Sequence, residues 1–203
     1  GGCVPERSGG AGRLLDATAL AALAVAVTRA AIQTITIDEA DTFLMFVNPR
    51  GPAHWSPSSN NHLLNSMLMA LFTTVFGVSH LAVRAPAILG ACLYIAAARS
   101  LCRRISGELP VQWPLFVCLV LNPFVLDYLA AARGYSLALG FLTSVLVVAV
   151  RVPGRPARAP ASAGLCSVCA ALAFASNFSF AFVCAAALLA AGFWIAWEER
   201  VVR

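Results

Sequence analysis

Lysine is absent, and all 14 cationic side chains are arginine. Charge of either sign is scarce: Asp, Glu, Lys and Arg together make up 11% of the 203 residues, against roughly 25% in an average soluble domain. With 60% hydrophobic residues and a mean hydropathy of +0.82, too little polar surface remains to cover a soluble globule of this size. The apolar residues also fall in long runs, which the narrow stripe of a soluble amphipathic helix does not need. These shortages exclude a soluble domain. They imply an all-α, polytopic transmembrane helix bundle with the lipid bilayer as its first partner.

Other absences narrow the class further. The net charge of +5 does not indicate nucleic acid, because the arginines stand in short clusters between apolar runs, where they carry topology information. Cys166 and Cys169 form a C-x-x-C inside an apolar segment with no second pair, so they read as small packing residues. His54 and His80 have no partner at metal-ligand spacing. No internal repeat of the kind that builds many transporters is evident. The chain opens on Gly1-Gly2 and not on Met and ends on Val201-Val202-Arg203 directly after a span, so it reads as a fragment or as a reading frame with wrongly called ends. Its first apolar run, from Leu14 to about Ile37, exceeds the roughly 7–15-residue core of a signal peptide and reads as a retained anchor helix. The lack of Lys beside abundant Ala and Arg points to a GC-rich bacterial gene and a plasma-membrane location.

Six crossings are expected, at approximately 14–36, 81–101, 110–130, 134–150, 161–177 and 179–197, each near the ~20 residues that span a ~30 Å hydrocarbon core. The apolar segment 62–76 is shorter, about 22 Å as a helix. If it does not cross, Arg99, Arg103, Arg104, the cluster Arg151, Arg155 and Arg158 and both ends of the chain share one side, as the positive-inside rule prefers. Segment 62–76 is then a juxtamembrane helix in an extracytoplasmic loop, 38–80. Residues 1–13 form a cytoplasmic tail, 14–197 the membrane domain, and 198–203 a cytoplasmic end. On this topology the turn from Ala131 to Tyr135 lies on the outer side, beside the loop.

Two outer positions hold polar residues that a membrane tether does not require. Asp38, Glu39 and Asp41 crowd the exit of the first span, where carboxylates are costly unless solvated or paired. Read blandly, they are a solvated loop that ends a helix. Arg133, on the side the topology rule disfavours, calls for a carboxylate or an anionic ligand, unless it simply snorkels to lipid headgroups. Between these positions Asn61 and His62 close a polar Pro/Ser/Asn turn, and His62 can donate to an anion. Asn177-Phe178-Ser179 fits a glycosylation sequon, but in a tight turn between spans it reads as incidental.

The order DEADTFL (38–44), a Pro/Ser/Asn-rich loop ending in NNH (60–62), VSHLAVRAPAILGA (78–91) and NPFVLDYLAAARGYSLAL (122–139) resembles the GT-C superfamily of membrane glycosyltransferases. The nearest likeness is to bacterial relatives of the protein O-mannosyltransferase and aminoarabinose transferase type, and it covers roughly residues 14–197. The resemblance implies transfer of a sugar from a polyprenyl-phosphate-linked donor to a protein, lipid or glycan acceptor on the extracytoplasmic face. The family's acidic residue after the first span matches Asp38-Glu39, implied as the catalytic carboxylates. Arg133, His62, Tyr135 and Asn61 are the implied substrate-binding residues, with Arg133 facing the lipid phosphate. A divalent metal serves some branches; Asp127 and the Asp38 group are where one would be sought. Members have many more spans, so the resemblance also implies that residues 1–203 alone do not turn over substrate. The alternative is a non-enzymatic membrane protein, either a transporter half or a degenerate relative. An outward anion-binding scaffold would share the Arg133 site but leave Asp38 without a role.

Overall fold

The computed structural model describes residues 8–51, 54, 56, 58, 61–151 and 159–202. Readings that rest on residues 1–7, Pro57, Ser59, Asn60, 153–158 and Arg203 lie outside them. Among the described residues every regular element is helical: α1 (Ser8–Ile32), α2 (Ile37–Asp41), a π-helical turn (Thr42–Val47), α3 (Leu63–Phe76), α4 (His80–Ile105), α5 (Leu109–Val120), α6 (Pro123–Ala130), α7 (Tyr135–Ala149), α8 (Ala159–Ser176), a 3-10 turn (Phe178–Phe180) and α9 (Ala181–Val202).

The chain runs back and forth between two ends of one bundle. At one end Asp16 of α1 pairs with Arg99 of α4, and the Trp113 Nε1–H of α5 donates to Thr18 Oγ1. At the other end the α1 exit, α2, the start of α4 and the α6–α7 turn meet. The outer surface is apolar: Leu20, Phe182, Leu189 and Phe193 are each at least two-thirds exposed. Such an inside-out distribution suits a hydrocarbon solvent and would be an aggregation hazard in water.

Among the described residues three helices are long and apolar enough to cross a membrane: Gly12–Ile32, His80–Ile105 and Ala159–Ser176. A fourth crossing follows if α5 and α6 count as one span. The expected straight helix over 110–130 is therefore broken, with a 54° bend between the two halves. Its cause is local. Pro123 cannot donate to the carbonyl four residues back, and Asn122 starts a new helix by accepting the Phe124 N–H through Oδ1. The regions expected to hold the other two crossings contain shorter apolar helices, Tyr135–Ala149 and Phe178–Trp194. At 14 residues, about 21 Å, α3 is too short to span the core. The first helix also ends earlier than expected, at Ile32, because a buried arginine from α4 binds the carbonyls that follow.

The central helix is α4, which packs against α1, α3, α5, α6 and α7. Its crossing with α7 is lined by small residues, among them Ala87, Gly90, Ala91, Ala138 and Gly140. A Cβ on Gly90 would run into the backbone of Ser136 and Leu137, and Ser136 Oγ donates to the Ala87 carbonyl at 2.7 Å. In lipid, where no hydrophobic force draws helices together, this backbone proximity supplies the packing energy. Gly90→Ala is expected to cost about 1–3 kcal/mol, because the atoms in the way are backbone and cannot rotate aside. Thermal unfolding in detergent measures it, and a variant as stable as the parent would show that the crossing is looser than described.

Candidate functional site

The loop leaving α1 is closed by a capping box. Thr36 Oγ1 accepts the Glu39 N–H, and the Glu39 carboxylate accepts the Thr36 N–H. The same carboxylate turns into the protein and is wholly buried. Arg84, also buried, grips it with both sides of its fork: Nε to Oε1 at 2.8 Å and Nη2 to Oε2 at 2.6 Å. The remaining Arg84 donors reach the carbonyls of Ala30, Gln33 and Thr34, the unsatisfied end of α1. Glu39 Oε1 also accepts the Ala132 N–H at 2.8 Å, tying the α1 exit to the α6–α7 turn. Burial alone would raise the Glu39 pKa. The hydrogen bonds from Arg84, Thr36 and Ala132, with the Arg84 charge, outweigh it and hold the carboxyl below its ordinary 4.5.

That turn is held from several sides. Asn65 Nδ2 of α3 donates to the Ala132 carbonyl and Asn177 Nδ2 to the Arg133 carbonyl, both at 3.0 Å. Gly134 has φ +74°, and a Cβ there would overlap the Ser176 carbonyl, so glycine is required both for the left-handed turn and for the close approach. The result is a fixed platform from which the Arg133 side chain projects. Its guanidinium pairs with Asp38 at 2.9 Å and lies 5.6 Å from the centre of the Tyr135 ring. Tyr135 in turn packs on Tyr128.

Asp38, Asp41, Thr42, Phe46, His62 and Arg133 line a cleft of about 40 Å³ at this end of the bundle. Thr42 and Phe46 belong to the π-helical turn, a local irregularity often found beside functional sites. His62 is nearly buried, edge-on to Phe178, and its Nδ1 has no hydrogen-bond partner among the described residues. Burial, and then the Arg133 charge, lower its pKa below 6.5, so the ring is neutral at pH 7.

The structure thus separates residues that the sequence takes together. Asp38 is more than half exposed and faces the cleft, whereas Glu39, its neighbour, has both oxygens engaged within the fold. Arg133, His62 and Asp38 come together, and Tyr135 supports Arg133 from below. Asn61 does not point at the cleft: its Nδ2 donates to the Ser56 carbonyl and its Oδ1 accepts from Ser66, an internal brace for the start of α3. Asp127 is not among the residues that line the cleft; it pairs with Arg29 of the last turn of α1. Among the described residues no three His, Cys, Asp or Glu side chains are grouped to hold a metal, and at Asp38 the Arg133 guanidinium already supplies positive charge. Asn177 is completely buried, which removes the sequon as a glycosylation site.

The sequence reading gave no part in the site to three residues that build it: Arg84, Asn65 and Asn177, the last noted only for its sequon. Arg84 was legible in principle, as the one charge between residues 81 and 98 of an apolar run, where an ionisable group needs a partner. No family model, curated protein or solved structure matches the chain.

A pH dependence follows from His62. A depressed folded-state pKa means that the unfolded chain takes up the proton first, so the stability from the neutral ring is present above 6.5 and is lost as pH falls through the folded value. Melting temperature is expected to drop between about pH 7.5 and 5.5, and His62→Gln to flatten that drop. Equal slopes in parent and variant would mean that another group governs the interval.

Proposed function

We propose that the chain is the N-terminal part of a GT-C-type glycosyltransferase of the bacterial plasma membrane. It crosses six times with the N-terminus cytoplasmic, so that the Asp38–Arg133 cleft opens on the extracytoplasmic face. The observation that carries this reading is the exposed Asp38 carboxylate held against an arginine whose backbone is fixed from several elements. Such a pair is suited to a reaction that needs a base and an anion site side by side.

The donor is a polyprenyl-phosphate-linked sugar. Its phosphodiester presents two anionic oxygens to the Arg133 fork, takes the place of Asp38 there and leaves that carboxylate free. The neutral His62 ring offers an unpartnered nitrogen at the same place. An acceptor hydroxyl, from protein, lipid or glycan, then attacks the anomeric carbon. The bond from that carbon to the phosphate oxygen breaks, the electron pair leaves with the polyprenyl phosphate, and the acceptor proton passes to Asp38. Glu39 has no part in proton transfer in this scheme; it positions the platform. A transporter reading is less well supported, because among the described residues the four ion pairs lie toward the two ends of the bundle and none at mid-span.

The test is consumption of polyprenyl-phosphate sugars by membranes in which the chain is expressed within its complete reading frame. Asp38→Asn is expected to lower turnover by about 10²–10⁴-fold at normal expression, the usual contribution of a general base. Arg133→Lys should lower it less than Arg133→Ala, since lysine keeps the charge and loses the fork. Full turnover in Asp38→Asn would remove the proposed base, and no consumption of any donor by the parent would remove the transferase reading.

A further inference from the structure

The opposite end of the bundle carries a second charged feature that the proposed reaction does not use. Ala96, Arg99, Ser100, Arg103 and Arg104 line a cleft of about 370 Å³ along one face of the last turns of α4. The helical spacing i, i+3, i+4 and i+7 from Ala96 puts Arg99, Ser100 and Arg103 on that face, with the small Ala96 and Ser100 leaving room between the guanidinium groups. Among the described residues the three arginines form one ion pair. Arg99 pairs with Asp16 at 2.7 Å, yet its Nε is buried without an acceptor among the described residues. Arg103 and Arg104 are exposed and have no ion-pair partner among the described residues. Elsewhere in the bundle the arrangement differs: Arg29, Arg84 and Arg133 each face a carboxylate.

We infer that this cleft binds the phosphate of an anionic phospholipid headgroup. Position along α4 selects the lipid over a soluble anion. From Arg84 at the site end to Arg103 is about 28 Å of helix, close to the thickness of the hydrocarbon core, so the cleft sits at headgroup depth. There a phosphodiester is the most abundant anion, and the arginine forks match its paired oxygens. The exposed apolar flank of α1, including Leu14 and Leu20, offers a surface for the acyl chains beside Asp16. The inference rests on the membrane reading of the fold and not on the transferase chemistry, so it stands or falls separately from the activity test.

The experiment is lipid retention by the purified full chain after equilibration in vesicles of mixed phosphatidylglycerol and phosphatidylcholine, read by quantifying co-purified lipid. The parent is expected to enrich phosphatidylglycerol over its share of the mixture, and Arg103→Gln/Arg104→Gln to lower that enrichment about tenfold. Arg13→Gln and Arg151→Gln remove charges from the same end but outside the cleft, and should leave it unchanged. No enrichment by the parent overturns the proposal without any variant being needed. Equal loss in the Arg13 or Arg151 variants also overturns it, because the effect is then general surface charge. If inorganic phosphate competes the lipid off at millimolar concentration, the cleft is a soluble-anion site and the lipid assignment fails.

Discussion

A carboxylate and a guanidinium buried together at the end of a helix bundle hold this structure in register. Glu39 and Arg84 are both about 1% exposed, and between them they engage the α1 carbonyls, the α2 cap and the amide of Ala132. Leaving either partner alone in that position costs roughly 3–5 kcal/mol, so the pair is a constraint that the surrounding backbone must satisfy. Three segments far apart in sequence, 30–39, 84 and 132, are fixed relative to one another by it.

The candidate site is a consequence of that constraint. Asp38 faces out because its neighbour Glu39 faces in, and Arg133 meets it because the preceding residue is bound to Glu39. The two asparagines and Gly134 then leave the platform no freedom to turn away. Preorganisation of this kind lets an ion pair open and close on a ligand without rearranging the scaffold. At the other end of α4, Arg103 and Arg104 have no ion-pair partner among the described residues, which is the physical contrast that separates a braced site from a surface suited to lipid.

Much of the fold was legible from composition and run length, since hydrocarbon demands long apolar helices and marks their ends with charge. The bend at Asn122-Pro123 was less so, because the apolar run continues through it and only the proline signals the break. The grouping of Asp38, His62 and Arg133 followed from placing their segments on one side of the membrane. The division of labour between Asp38 and Glu39 could not be read, because adjacent residues differ only in which way the capping box turns them. The buried partners Asn65 and Asn177 likewise lack a local signature: an asparagine near a helix end is common, and only tertiary contact with the turn gives these two their role.

The most direct measurement of the central claim is amide hydrogen exchange over residues 128–136 in the parent and in Arg84→Met. If the buried pair holds the platform, exchange at Ala132 should rise at least about tenfold in the variant, while Val145 to Ala149 of α7 stay protected. Unchanged protection of the turn, with Arg84 gone, would show that Arg133 is positioned without the Glu39–Arg84 pair.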